Sequence, residues 1–180
     1  MDPSRHLWRS AVVAMSVLTL AGCASTRVNS FVERGVDFSR YHTYKWVPIS
    51  QFATGDPRLD NNRFFMERVQ ADVEQQLAMR GFEKTTSETP DLLLHYHASI
   101  SQRLDVPAPD PIDGHCTDCT PSVYEAGTLV IDVVDARAEK LIWRGWSEGS
   151  MDGVIDNQEW LEARIDDAVT RILGKLPRRL

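Results

Sequence analysis

The sequence predicts an α+β fold: a two-layer sandwich in which a mostly antiparallel sheet of about five strands carries two helices on one face. Residues 127–135 and 141–144 are apolar segments joined by a polar turn, which is the pattern of a central β-hairpin. Residues 60–80 and 158–175 instead place apolar side chains at helical spacing. Because only one face of the sheet is richly apolar, both helices should cover that face. With 180 residues, 42% of them hydrophobic, the chain can form one such domain, which we assign to residues 31–177.

The predicted order of elements is β-β-α-β-β-β-α, and it begins with two short strands. Residues 31–32 form the first strand. After a turn, residues 42–47 form the second, in which Tyr44 and Trp46 share one face and polar residues occupy the other. Pro48 ends this strand, because proline cannot donate to the ladder of a sheet.

The first helix should run from about Asp60 to Arg80. An Asp or Asn at its start can accept hydrogen bonds from the exposed backbone N–H groups, and Asp60, Asn61 and Asn62 are the candidates. Gly81 can take the left-handed conformation that stops a helix, and Phe82 can then fold back onto the last turn. The predicted apolar stripe consists of Phe65 or Met66, Val69, Val73 and Leu77.

The second half of the chain reads as a long strand, the hairpin and a closing helix. The long strand runs from Leu92 to about Ser101, and a Pro-rich loop follows over residues 104–121. In the hairpin, the side chains expected to face the helices are Leu129, Ile131, Val133, Leu141 and Trp143. Those expected to face away are Val130, Asp132, Val134, Ile142, Arg144 and Trp146. After a loop at residues 148–157, the last helix turns Leu161, Ile165, Ala168, Ile172 and Leu176 to the core.

The amino terminus has the features of a bacterial lipoprotein signal. Arg5 and Arg9 form a basic start, and residues 11–20 are an apolar run far shorter than the roughly 20 residues that cross a bilayer. The run ends in Leu20-Ala21-Gly22-Cys23, which resembles the lipobox, where a diacylglycerol is attached to the cysteine and the signal is cut before it. Residues 1–22 are therefore predicted to be removed, and residues 23–30 to form a lipidated tether. The competing interpretations are an uncleaved signal anchor and a chance cysteine.

The lipid and the charge of the chain set the expected location and partners. Each buried CH₂ contributes about 0.8 kcal/mol, so two or three acyl chains hold a protein to a membrane essentially permanently. Ala24 follows the cysteine, where an Asp often marks inner-membrane retention in enteric bacteria, and this resemblance implies the outer membrane with the domain in the periplasm. The net charge of -6, with no basic cluster beyond Arg178-Arg179, argues against nucleic acid as a partner. The covalent lipid on Cys23 is the only bound group that we expect.

Several motifs resemble a family of small bacterial lipoproteins, the domain of unknown function 4136. They are spread in order over nearly the whole mature chain: residues 37–46 (DFSRYHTYKW), 80–82 (RGF), 90–94 (PDLLL), 127–135 (GTLVIDVVD), 141–145 (LIWRG) and 172–177 (ILGKLP). The resemblance implies a fold and a cellular address. It implies no reaction and no catalytic residues.

Cys116 and Cys119 form a pair in the Pro-rich loop. Thiols in an oxidising compartment tend to pair, so a short disulfide is the first interpretation. A redox-active Cys-x-x-Cys usually opens a helix, which this loop does not. A metal site built on His115 and the two cysteines, with Asp113 or Asp118, has suitable ligand types but no second Cys-x-x-Cys. Two free thiols are the remaining alternative.

His95 and His97 share the strand face that points away from the helices. Pairing of the hairpin brings Asp132 and Arg144 together as cross-strand partners on that face. A solvated face with one weak ion pair is the first interpretation. A metal site made of His95, His97 and Asp132 is the second, and we expect untagged protein to carry no stoichiometric zinc.

The same face contains more apolar side chains than a solvated surface needs, which suggests a docking surface. Either the loop at residues 104–121 folds over the face, or a partner covers it. The partner would be another envelope protein, a second copy of the chain or a ligand. The residues of this possible docking face are Leu93, His95, His97, Asp132, Ile142, Arg144 and Trp146.

Gly145-Trp146-Ser147-Glu148-Gly149 matches the Gly-x-Ser-x-Gly elbow of hydrolases in letters only. The elbow needs a strand that turns directly into a helix and a histidine later in the chain, and no histidine follows Ser147. Without a nucleophile–base pair, the sequence predicts a membrane-anchored, non-catalytic interaction or ligand-binding module. The alternative is a metal-dependent or redox envelope enzyme that uses His95, His97 and Asp132, or Cys116 and Cys119.

Overall fold

The fold is that of a computed structural model, which describes residues 26–47, 56–60, 62–109, 112, 114–115 and 119–178. The predicted signal peptide, Cys23 and Cys116 lie outside these residues. The described elements are β1 (Arg27–Val32), β2 (Thr43–Trp46), α1 (Pro57–Asp60), α2 (Arg63–Ala78), β3 (Glu83–Lys84), β4 (Leu92–Asp105), β5 (Ser122–Asp135), β6 (Lys140–Ser150) and α3 (Gln158–Leu173), with a 3₁₀ turn at Phe38–Arg40.

All six described strands belong to one sheet, in the order β1-β6-β5-β4-β2-β3. The neighbours from β1 to β4 are antiparallel, whereas β2 runs parallel to both β4 and β3. The α+β class and the hairpin inside the sheet are therefore confirmed. The predicted strand count is one too low because it misses the two-residue β3. Gly81, with φ 79°, reverses the chain after α2, and the N–H of Glu83 then donates to the carbonyl of His42 at 2.8 Å.

An asparagine caps each of the two long helices, and Asn62 is one of the three candidates that the sequence offers for the first. The side chain of Asn62 accepts a hydrogen bond from the N–H of Phe65 at 2.9 Å, and that of Asn157 accepts one from the N–H of Trp160 at 3.0 Å. Each cap satisfies a backbone donor that the first turn of a helix leaves unpaired. The predicted start at Asp60 is wrong, since Asp60 ends the separate turn α1 and α2 begins at Arg63.

The two long helices lie side by side on the predicted face of the sheet and run parallel. Gln76 of α2 donates to Thr170 of α3 at 3.2 Å. Eight residues earlier in each helix, Arg68 forms an ion pair with Glu162, so the two helices run in the same direction. No helix among the described residues is long and apolar enough to cross a membrane. The helical stripes are buried as predicted, by Phe65, Val69, Val73 and Leu77 of α2 and by Leu161, Ile165, Ala168 and Ile172 of α3.

Four strands, β1, β4, β5 and β6, are longer than their hydrophobic patterns predict, whereas β2 is shorter than the predicted residues 42–47. β1 begins at Arg27, inside the segment predicted to be a tether. β4 continues to Asp105, two residues into the predicted loop at residues 104–121, and β5 begins at Ser122, directly after that loop and five residues before the predicted start of the hairpin. The extensions of β4 and β5 lack a clear alternation of polar and apolar residues, and they are strands because their backbone groups pair with each other along the whole of β4 and β5.

Candidate functional site

The face of the sheet turned away from the helices holds the candidate site, and we call it the open face. Its residues are Leu93, His95, His97, Val130, Asp132, Val134, Arg144 and Trp146. The register sets them in rows across the sheet, with His95 beside Asp132 and Arg144, and His97 beside Val130 and Trp146. β1 continues these rows with Phe31 and Asn29. The apolar members are only partly buried, so the open face mixes hydrophobic and charged groups, as the sequence predicts.

Asp132 and Arg144 form the centre of the open face. The Nε of Arg144 donates to Oδ1 of Asp132 at 2.6 Å, and Nη2 donates to Oδ2 at 2.6 Å. Asp132 is 5% exposed, whereas the Arg144 side chain is 44% exposed. The hydrogen bonds to Asp132 raise the pKa of Arg144 above its ordinary value. The predicted cross-strand pair is confirmed, and its bidentate geometry with a buried carboxylate makes it stronger than a solvated surface pair.

The two histidines flank Asp132 without forming a metal site with it. His97 Nε2 lies 3.9 Å from Asp132 Oδ2. Burial is the main cause that lowers the pKa of His95, although the negative charge of Asp132 acts in the opposite direction. Both carboxylate oxygens of Asp132 already accept from Arg144. Among the described residues, no group of three or more His, Cys, Asp or Glu side chains is placed to hold a metal ion.

Ile142 does not lie on the open face, and its predicted place there is wrong. It is 3% exposed and belongs to the hydrophobic core beneath the helices. Val133 pairs with Trp143 and Val134 with Leu141, which leaves Ile142 without a partner in the register. A β-bulge inserts one residue into a strand and breaks the alternation of its side chains. Ile142 therefore joins Trp143 in the core, and Leu141, predicted to face the helices, is only partly buried.

The predicted cysteine site is only partly within the described residues. Cys119 is exposed and disulfide-bonded. Cys23 and Cys116, the only other cysteines of the chain, lie outside the described residues, as do Asp113 and Asp118. That Cys116 is the partner of Cys119 stays a prediction, and so do the lipid on Cys23 and the metal alternative with His115.

Ser147 is not a nucleophile on a strand-to-helix turn. It lies inside β6, opposite Leu129 of β5 and Val28 of β1, and it is 3% exposed. Its neighbour Gly145 is pressed against the core, where an added Cβ would lie 2.4 Å from Cη2 of Trp143. The glycine of this apparent motif is thus explained by packing, in agreement with the sequence argument against a hydrolase.

A cleft of about 510 Å³ at the hairpin-turn end of the sheet was not predicted from the sequence. Tyr41 donates to Asp135 at 2.8 Å, and Asp91 accepts from the backbone N–H groups of His42 and Thr43 at 2.8 and 2.9 Å. These bonds lower the pKa of Asp91. Burial and the bond to Asp135 raise the pKa of Tyr41 to about 12.

Asp91 and Asp135, two of the three carboxylates that line this cleft, accept hydrogen bonds from groups of the polypeptide itself. Asp135 also accepts from the backbone N–H groups of Arg137 and Ala138, at 2.9 and 2.8 Å. The sequence contained a hint of this arrangement, because three of the family-like motifs each contribute one of its residues: Tyr41, Asp91 and Asp135. Their convergence explains those motifs as structural.

A second, apolar cavity lies between the sheet and the helices, near the start of β1. Its volume is about 50 Å³, and Ala98, Leu129, Met151 and Leu161 are among its lining residues. Small-molecule sites usually have about 300–1,000 Å³. This cavity is therefore a packing gap, and the open face remains the candidate site.

Comparison with known proteins places the chain in a family. The model of "Domain of unknown function (DUF4136)" matches residues 28–178. No curated protein is similar enough to count as a relative. A crystal structure of a PDZ domain protein from Parabacteroides distasonis is similar over 85% of this chain, with a TM-score of 0.50 and 14% identity, and this chain spans 37% of that one.

Two further solved structures are similar along nearly their whole length. The PelC dodecamer from Paraburkholderia phytofirmans has a TM-score of 0.51 and 9% identity, over 86% of this chain and 99% of that one. A DUF4136 family protein from Bacteroides thetaiotaomicron has a TM-score of 0.46 and 12% identity, over 81% of this chain and 94% of that one. At such identities the likeness concerns the fold. Because the family model covers most of the sequence, the chain belongs to the DUF4136 family.

Proposed function

We propose that this protein is a lipid-anchored, non-catalytic binding module of the bacterial outer membrane that faces the periplasm and binds through its open face. The lipobox-like segment at residues 20–23 supports the anchor. The observation that carries the proposed binding is the open face itself, where partly buried Leu93, Val130, Val134 and Trp146 surround the Asp132–Arg144 pair.

The composition of the open face resembles that of a protein interface more than that of a solvated surface. Interfaces have an apolar centre with Trp and Arg enriched, and those two types are also common among residues that dominate binding energy. Trp146 and Arg144 are both on the open face, and Phe31 of β1, 44% exposed, extends it. A partner that covers this area would bury apolar side chains and could bind the half-exposed guanidinium of Arg144, which Asp132 already holds in place.

Two residues that the sequence offers as candidates for chemistry have structural roles instead. Ser147 is buried in a strand, and Asp132 is occupied by Arg144. The partner would be another envelope protein or a second copy of the chain. PelC, which shares the fold, crystallised as a dodecamer, which makes self-association one outcome worth separating from binding to a different protein.

Site-specific photocrosslinking in living cells tests the proposal. A photoreactive amino acid at position 97, an exposed site on the open face, should give a discrete adduct. The matched control is position 163, which is exposed on α3 on the opposite side of the sheet. An adduct of twice the subunit mass indicates a second copy, and any other mass indicates a different envelope protein.

A second variant separates binding from folding. Trp146→Ser removes the largest apolar group of the open face and should weaken the adduct at position 97 while the protein still unfolds cooperatively. Equal adducts at positions 97 and 163, or no adduct at 97 in protein that carries its lipid, would contradict binding through the open face.

A further inference from the structure

One end of the domain is fixed by the point at which the chain enters it, and we call it the anchor end. β1 begins there at Arg27. In the sheet β1 is followed by β6, β5 and β4, and each of these strands is antiparallel to the one before it. The last residues of β6 and β4 and the first residues of β5 therefore also lie at the anchor end. α3 starts there too, because only a short loop joins it to Ser150 at the end of β6.

β4 and β5 project beyond the rest of the sheet at the anchor end. The last pair between β5 and β6 is Ala126 with Ser150, whereas β5 and β4 stay paired as far as Ser122 with Asp105. We call residues 101–106 and 122–125 the arm. Its base is held in place, because the N–H of Glu125 donates to Asp152 at 2.9 Å, in the loop that leads to α3.

Exposed apolar side chains concentrate at the anchor end. Eight large hydrophobic residues are exposed in the described part of the chain. Leu104 and Val123, exposed by 61% and 64%, face each other across the arm, and Val106 follows at 63%. Trp160, exposed by 58%, lies in the first turn of α3. Ile112, in the connection between β4 and β5, is a fifth.

The arm reaches as far as the predicted anchor. Thr26 lies beside Gly149, since a Cβ built there would be 3.5 Å from Thr26 Oγ1. Gly149 pairs with Gly127, and Gly127 with Ile100. Leu104 is four residues further along β4, which is about 13 Å. The three residues from Cys23 to Thr26 span at most about 10 Å.

We propose that in the anchored protein the arm and Trp160 rest in the surface of the membrane that holds the lipid on Cys23. This inference rests on the lipid anchor of the proposed function. A diacylglycerol on Cys23 places that residue at the headgroup layer, and the tether is then too short to lift the arm away from it. Exposed Leu and Val side chains with a Trp are the composition of segments that lie at the boundary between headgroups and acyl chains.

A bilayer is favoured over a second copy as the occupant because the arm reaches about as far from the sheet as the tether allows Cys23 to reach. The anchor would bring the arm to the membrane in every molecule, and the contact needs no matching surface. The opposite end of the domain has Met79, exposed by 64%, which offers a matched control at nearly the same exposure as Leu104.

Quenching by brominated lipids tests the inference in the full, processed chain. Mass spectrometry first establishes that Cys23 carries its lipid. The protein is then placed in vesicles of phosphatidylethanolamine and phosphatidylglycerol with either ordinary or bromine-substituted acyl chains. Trp160→Phe supplies the background of the other tryptophans, and in this variant Leu104→Trp and Met79→Trp each add one reporter.

The inference predicts different quenching at the two ends. The emission from Trp160, and that added by Leu104→Trp, should fall about twofold in brominated vesicles, because both side chains reach the acyl boundary. The emission added by Met79→Trp should not change. Acylated protein in which Trp160 is not quenched would overturn the inference and leave the proposed anchoring intact.

The other possible results of the quenching experiment would each overturn the inference. Equal quenching at all three positions would mean that the domain has no fixed orientation, which overturns the inference. Emission from Trp160 that shifts with protein concentration, without quenching, would identify a second copy as the occupant and overturn it as well. A Cys23 without lipid would refute the proposed function first and the inference with it.

Discussion

The Asp132–Arg144 pair makes the clearest prediction about the open face. Arg144→Met removes the guanidinium and keeps a side chain of similar length. A carboxylate left buried without its charged partner costs about 3–5 kcal/mol in a dry interior. The Arg144 side chain is 44% exposed, so water can solvate Asp132 in the variant, and His97 Nε2 is 3.9 Å away. We therefore expect the free energy of unfolding to fall by about 2 kcal/mol.

A double-mutant cycle measured by urea unfolding at neutral pH isolates this interaction. Asp132→Asn alone should cost about 1–2 kcal/mol, and the double variant should lose less than the sum of the two by about 1–2 kcal/mol. Arg171→Met is the control, because Arg171 pairs with Asp167 on the exposed side of α3 and should cost under about 0.5 kcal/mol. If the two open-face substitutions are additive within about 0.5 kcal/mol, the pair does not stabilise the sheet and the reasoning is refuted.

Other substitutions test the packing, the polar cleft and the partly buried His95. Gly145→Ala should cost about 2 kcal/mol in the same assay, because its Cβ would lie 2.4 Å from the Trp143 ring; a cost below about 0.5 kcal/mol would show that the ring yields. Asp91→Ala loses two bonds from backbone N–H groups, one of them that of Thr43, and should cost about 2–3 kcal/mol. The pKa of Asp91 is lowered in the folded protein, so its contribution begins to decline as the pH falls below about 4, the pKa of the unfolded chain, and the difference between native protein and variant should narrow from there downward. Burial lowers the pKa of His95, so the unfolded chain takes up its proton first and stability declines as the pH falls below about 6.5. His95→Asn should flatten that decline, and an unchanged slope would contradict the role of burial.

Much of the fold could be predicted because its signals are local. The stripe from Phe65 to Leu77 repeats at helical spacing, and an asparagine stands before each long helix. The alternation in residues 92–98 correctly separates the buried side chains of β4 from those on the open face. The hairpin turn brings Asp132 near Arg144, as the sequence predicts, but the pairing beside the turn would by itself place Asp132 opposite Trp143. The bulge between Val133 and Val134 shifts the register by one residue and makes Arg144 its partner.

The candidate site could be predicted only in part, because non-local pairing shapes it. Ile142 moved from the open face to the core through a bulge that no composition marks. The arm exists because β4 and β5 pair over 14 residues each, although its sequence shows no alternation of polar and apolar residues. The meeting of Tyr41, Asp91 and Asp135 joins segments far apart in the chain.

The sequence alone therefore determined the kinds of elements, the helix caps and the polar or apolar character of each sheet face. These depend on a residue and its near neighbours. Only the tertiary structure decided on which side of the sheet Ile142 lies, which carboxylates are already paired and which end of the domain collects exposed apolar groups. An alternating pattern assigns side chains to faces only while no residue is inserted, and hydrogen-bond partners across a sheet are chosen by the whole fold.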